Sequence, residues 1–216
     1  MKTTKKIFWT EGMVSDKFGL QRINYEQFVL LRNWTMVKCD FTREELIFME
    51  ETRSEALKNI DFWNEEELKM WFISDIIKLS QYHKETEYRA YFEKEVAATV
   101  NDIPLKLNVD FLIAKGVGDY VKYPYFCFHE YKREKKYNDD PAAQVLLAML
   151  VAQEINQNEK PLYGAYVISR NWYFMILDKN EYAIAQPLCS TEKEDLHKIV
   201  SILREFKVIL KEKILK

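Results

Sequence analysis

Glycine and proline are scarce in this chain, five of each in 216 residues, so little of it is given over to irregular loops. Cysteine is scarcer still. Cys39, Cys127 and Cys189 are odd in number and far apart, with no C-x-x-C pair, which excludes both a disulfide scaffold and a cysteine zinc site. Long apolar runs are missing. The longest, residues 145–152, falls well short of the ~20 residues a membrane helix needs, and no apolar signal region follows the basic residues 1–6. A cytoplasmic protein with no membrane partner is therefore expected. Neither sign of charge dominates: the net charge of −2 excludes a uniformly basic nucleic-acid coat, so any such contact would need a local patch. The chain also lacks a P-loop, a G-x-G-x-x-G turn and a nucleophile elbow. His83, His129 and His197 are too scattered to form a metal cluster.

What remains is apolar, aromatic and well patterned. Apolar residues make up 48% and charged residues 31%, with thirteen Tyr, thirteen Phe and five Trp, which bounds the chain to one globular domain or one with a small appendage. In residues 1–40 the apolar positions, Phe18, Leu20, Phe28, Leu31 and Trp34 among them, fit neither the helical nor the strand period. From Thr42 the pattern sharpens. Thr42-Arg43-Glu44-Glu45 is a capping box opening a helix to about Lys58, and Asn64-Glu65-Glu66-Glu67 opens another, with Leu68, Trp71, Phe72, Ile76 and Leu79 as its apolar stripe.

Strands are then expected at residues 88–100, 105–114 and 123–132. Asp140-Pro141 supplies an N-cap and first-turn proline for a helix to about Asn156, apolar nearly all round and hence buried. Further strands follow at 162–169, 172–177 and 182–186, and Thr191-Glu192-Lys193-Glu194 reads as a capping box for a last helix. A strand–helix–strand crossover between runs of strands predicts an α/β fold with a mixed central sheet flanked by helices. Residues 1–60 are expected to be a mostly helical extension packed on the core formed by 61–216. They are open to three readings: an added helical layer, a dimer surface or a substrate-choosing element.

Chemistry concentrates on two of these strands. Leu105, Leu107, Val109, Phe111 and Ile113 alternate along one, which places Asp110 on the opposite face; a period of two puts Glu130 and Lys132 on a common face of the next, beside Phe126 and Phe128. Magnesium takes oxygen ligands, commonly one or two carboxylates plus waters and phosphate oxygens. Asp110 and Glu130 would supply the carboxylates and the Tyr131 carbonyl a third oxygen. Lys132 would orient or help deprotonate an attacking water, or steady a phosphate. Arg133, Lys135 and Lys136 form a basic run directly afterwards, readable as a nucleic-acid backbone contact or as a solvated loop.

An Asp, a gap of about twenty residues, Glu-x-Lys on the following strand and then a helix carrying Gln144 resemble the PD-(D/E)XK nuclease superfamily. The resemblance covers about residues 64–177. The wording Asp-Phe-Leu-Ile-Ala, then Tyr-Phe-Cys-Phe-His-Glu-Tyr-Lys-Arg-Glu, is similar to bacterial members of that superfamily. It implies a restriction-endonuclease-like core, with Asp110 and Glu130 as metal ligands, Lys132 as the catalytic lysine and Gln144 as a supporting glutamine. The cofactor implied is Mg2+, with Mn2+ able to substitute. Val109 stands where the family pattern has proline, a position that varies. Many members also place a carboxylate on the first core helix, for which Glu66, Glu67 and Asp75 are the options here; Glu67 doubles as a capping residue.

The expectation is thus an Mg-dependent nuclease hydrolysing phosphodiester bonds, in DNA first of all, with room for a homodimer. The alternative is a catalytically silent module on the same fold that binds nucleic acid or protein, or a metal-free structural subunit.

Overall fold

A computed structural model of the protein describes residues 8–82, 86–134, 136 and 139–214, with the side chain of Lys213 excepted. Lys135, His83 and Tyr137 lie outside the described residues.

Capping chemistry sets the helix starts. Thr42 Oγ1 accepts from the Glu45 N–H at 3.3 Å while Glu45 returns a carboxylate oxygen to the Thr42 N–H at 3.1 Å, opening α3 (Arg43–Asn59). Asn64 and Glu67 do the same at 2.9 and 2.8 Å for α4 (Glu65–Leu68). That helix continues through a π-helical turn (Lys69–Ile73) into α5 (Ser74–Ser80), making one rod over residues 65–80. The wide turn shifts the apolar stripe. It brings Phe72 and Ile73, rather than Trp71, back over Leu68, so Trp71 is 54% exposed instead of inward as its spacing predicts. Ahead of these lie α1 (Glu11–Phe18), β1 (Gln21–Arg22) and α2 (Val29–Thr35).

Among the described residues the sheet is mixed, open and eight-stranded. β2 (Arg89–Val100), β3 (Ile103–Val117) and β4 (Tyr120–Lys132) form an antiparallel meander. From β4 the chain crosses through α6 (Pro141–Asn156) to β5 (Leu162–Ile168), which lies parallel to β4. β6 (Asn171–Asp178) and β7 (Glu181–Ile184) extend the sheet antiparallel, β8 (Leu188–Cys189) pairs with β6, and β1 closes the far edge parallel to β7. The order is β1-β7-β6-β5-β4-β3-β2. Thus the first sixty residues include a short strand of the central sheet as well as helices.

Helices cover both faces, giving an α/β/α sandwich. On one side α6, apolar all round, packs with α1 against Val109, Leu112, Phe128 and Met175. On the other, α2, α3, residues 65–80 and α7 (Lys193–Ile209) enclose an aromatic core in which Trp34 meets Tyr163 and Phe174 edge-on at 5.0 and 5.2 Å. The capping box expected at Thr191 does not form. Glu192 is the N-cap of α7 and gives no side-chain bond, while Thr191 Oγ1 turns to the Cys189 thiol at 3.2 Å.

The simple alternation expected for β3 fails at one point. Leu105 and Val109 belong to the α6 side, whereas Phe111 and Ile113 belong to the opposite core. The register runs unbroken past both, from Phe92↔Phe111 to Lys94↔Val109, and the intervening positions are Glu93 and Asp110. Glu93 has φ +49°, left-handed backbone that non-glycine residues seldom adopt, and the alternation inverts there. Phe126 is displaced too. Register shifts on β4 lie between Lys122 and Cys127, and Phe126 enters the aromatic core while Phe128 stays with α6, so the two do not flank Glu130 on one face.

Candidate metal and phosphate site

The site lies where β3 and β4 part. Past its register shifts their ladder runs regularly from Ile113↔Cys127 to Phe111↔His129 and goes no further. Beyond it the Tyr131 N–H has no β3 carbonyl opposite, and the Asp110 carboxylate takes that bond instead, Oδ2 accepting at 2.7 Å. The opposite edge of β4 stays paired, through Glu130↔Tyr166 and Lys132↔Ile168 on β5. Asp110 is thereby pinned into the break, and Glu130 and Lys132 emerge one residue either side of the amide it holds.

Two lysines meet these carboxylates. Lys132 Nζ lies 2.8 Å from Glu130 Oε1, 3.5 Å from Glu65 and 3.8 Å from Asp139. Lys69 Nζ, at the head of the π-helical turn, donates to Asp110 Oδ1 at 2.7 Å and to Glu93 at 3.2 Å, with Glu66 at 3.4 Å and Glu65 at 3.7 Å. Among the described residues six carboxylates therefore share two ammonium groups, an excess of negative charge in a partly buried place. Burial pushes the Glu130 carboxyl up to about 8, Asp110 and Asp139 adding to the rise and Lys132 opposing it. Burial would lower both lysines, but the bonds and charge of Asp110 and Glu93 raise Lys69, and those of Glu130 raise Lys132. A cavity of about 290 Å³ opens over Asp110 and Lys69, with Phe92, Glu93 and Met70 in its wall.

The other expected site residues divide. Glu67 spends its carboxylate on the Asn64 cap, and Asp75 pairs with Lys78 at 2.8 Å, so neither joins Asp110. Glu66 reaches Lys69 but is 81% exposed. The helix carboxylate that does touch the strand residues is Glu65, through Lys132. Gln144, in the first turn of α6, keeps Oε1 buried with no hydrogen-bond partner among the described residues. Arg133 donates to the Asp61 carbonyl at 3.2 Å, and Lys136 is exposed, its backbone forming an isolated antiparallel β-bridge with Asp139.

No protein-family model matches the chain, and no curated protein matches it in sequence. The reading of the site therefore rests on its own geometry.

Sequence reasoning missed Lys69, Glu65, Glu93 and Asp139. Lys69 follows Glu65 and Glu66 at helical pairing distance, a signal that was legible. Its reach to Asp110 depends on tertiary packing and was not. His129 lies on the other face of β4 from Glu130, stacked on Phe111 at 4.6 Å with Nδ1 2.8 Å from the Tyr131 hydroxyl. Burial pulls it down to about 3, so it is a neutral core residue.

Among the described residues no group of three or more His, Cys, Asp or Glu is disposed as a preformed metal cage, and no helix is long and apolar enough to cross a membrane.

Proposed function

We propose that the protein is a divalent-metal-dependent phosphodiesterase acting on nucleic acid, DNA first, built on a restriction-endonuclease-like core. The observation that carries the reading is the Asp110 carboxylate seated in the β3–β4 break, on the amide of the residue next to Glu130. A buried carboxylate such as Glu130, whose charge is opposed first by burial and then by Asp110, is relieved by a hard cation that both groups can ligate. The element order supports the core assignment: a helix over 65–80, the β2–β3–β4 meander, the α6 crossover and parallel β5.

The residues fit such a cation by charge and by donor type. Asp110 and Glu130 would hold it, with the Tyr131 carbonyl as a third oxygen. The bound ion, Mg2+ or Mn2+, would supply Lewis acidity and an acidified water. Lys132 holds Glu130 and presents a cation for the negative charge that builds on phosphate oxygens during displacement. The Tyr131 N–H keeps Asp110 from rotating out of place. Gln144 offers an acceptor that the fold leaves unused. Arg133 and Lys136 would add salt-sensitive contacts to the nucleic-acid backbone.

One observation favours a second reading. Lys69 on Asp110 and Lys132 on Glu130 satisfy both carboxylates internally, as in a nuclease-fold module that binds nucleic acid or protein without cutting. Incubation with a panel of single- and double-stranded DNA and RNA separates the two. The enzyme reading expects cleavage that requires Mg2+ or Mn2+ and is abolished in folded Asp110→Ala, Glu130→Ala and Lys132→Ala. Binding without cleavage under every metal condition supports the module.

A further inference from the structure

We infer that Lys69 is a resident counter-ion of Asp110 which an incoming divalent cation must displace, so that this lysine sets the metal affinity of the site. The inference rests on the metal reading given under Proposed function and concerns how that same site is regulated. Lys69 Nζ donates to Asp110 Oδ1 at 2.7 Å, while Asp110 Oδ2 is committed to the Tyr131 N–H. The oxygen with which Asp110 could ligate an ion is thus the one that Lys69 covers. Ammonium and metal compete for it, because two cations brought against one carboxylate oxygen repel each other.

The surroundings supply the means of exchange. Lys69 has three further carboxylates within reach, Glu93 at 3.2 Å, Glu66 at 3.4 Å and Glu65 at 3.7 Å, so a displaced ammonium stays paired. Glu66 and Glu93 are mostly solvent-exposed, which lets the ammonium move outward rather than deeper. The cavity over Asp110 gives an ion access from that same side. Lys69 also begins the π-helical turn, the least regular part of its helix, where backbone geometry departs from the α-helical ladder, as it often does at functional sites.

Calorimetric titration of Mn2+ into the full chain tests this, comparing the natural protein with Lys69→Met, Lys69→Arg and Asp110→Asn. Lys69→Met is expected to bind Mn2+ about tenfold or more tightly than the natural protein, the scale of one charge-assisted bond removed from the competition. Lys69→Arg keeps the charge and is expected to keep the weak affinity. Lys69→Gln serves if Lys69→Met does not fold, with the same gain expected. An unchanged or weaker affinity in the neutral variants overturns the inference, as does an equal gain in Lys69→Arg. If the natural protein binds Mn2+ through Asp110 and Lys69→Met binds no better, only the role of Lys69 falls. If Asp110→Asn binds as the natural protein does, or none of the four binds, the metal reading itself falls.

Discussion

Asp110 Oδ2 accepts the Tyr131 N–H at 2.7 Å, a side chain standing in for the backbone carbonyl that the parting of β3 and β4 removes. That bond makes Asp110 both part of the fold and part of the site. The same carboxylate that would ligate a cation fills a gap in the sheet, and Lys69 holds its other oxygen.

Asp110→Ala and Asp110→Asn should therefore differ in stability, not only in function. Alanine leaves a buried N–H unpaired and is expected to cost about 1–3 kcal/mol, whereas the asparagine amide oxygen still accepts from Tyr131 and recovers most of that. Urea unfolding of the two variants measures the difference. Equal losses would show that the bond to Tyr131 does not hold the strands.

Glu130 and His129 pull stability in opposite directions as pH changes. Folding raises Glu130 from an ordinary 4.5 to about 8, so the folded state holds the extra proton between those values and stability declines as pH rises through them. Folding lowers His129 from 6.5 to about 3, so the unfolded state takes up the proton first and stability declines as pH falls below 6.5. The two slopes oppose each other between 4.5 and 6.5, and of the pair Glu130 acts alone from 6.5 to 8. There the decline is at most that of one proton released on unfolding. Unfolding free energies at pH 6.5 and 8.5 should show this decline in the natural protein and a much smaller one in Glu130→Gln.

At Gly164 on β5, α6 presses close against the sheet. A Cβ there would meet Met149 Cε at 2.5 Å and both the Phe128 carbonyl and Val145 Cγ1 at 2.8 Å. Gly164→Ala is expected to destabilise by about 1–3 kcal/mol through overpacking. Gly12 in α1 has open space around its Cβ position, and Gly12→Ala should be neutral or gain up to about 1 kcal/mol. Thermal melts of the two variants check the contrast; a harmless Gly164→Ala would mean that α6 sits less tightly on the sheet than described.

Local chemistry made much of this legible from sequence. The boxes at Thr42 and Asn64 and the Asp140-Pro141 start of α6 announce themselves because a cap involves residues only two or three apart. The meander, the buried crossover helix and the mixed sheet follow from periodicity. What escaped has a physical cause in each case. Trp71 faces out because a π-helical turn changes the period within the helix. Val109 and Phe111 face different cores at the point where Glu93, on the neighbouring strand, takes up left-handed backbone, an irregularity that no period in the sequence announces. Thr191 does not cap because the chain reaches α7 one residue later than its motif suggests. At the site, Asp110, Glu130 and Lys132 stood out by spacing, whereas Lys69 and Glu65 reach them only through packing between distant segments, and Asp139 returns to Lys132 from seven positions further along the chain.

The most direct measurement of the central claim is an anomalous difference map from a crystal of the full chain soaked in Mn2+. The account predicts one strong peak bonded to both the Asp110 and Glu130 carboxylates at roughly 2.0–2.3 Å, with Lys69 moved off Asp110. A map with no peak between those carboxylates, at Mn2+ concentrations that saturate binding in solution, would contradict it.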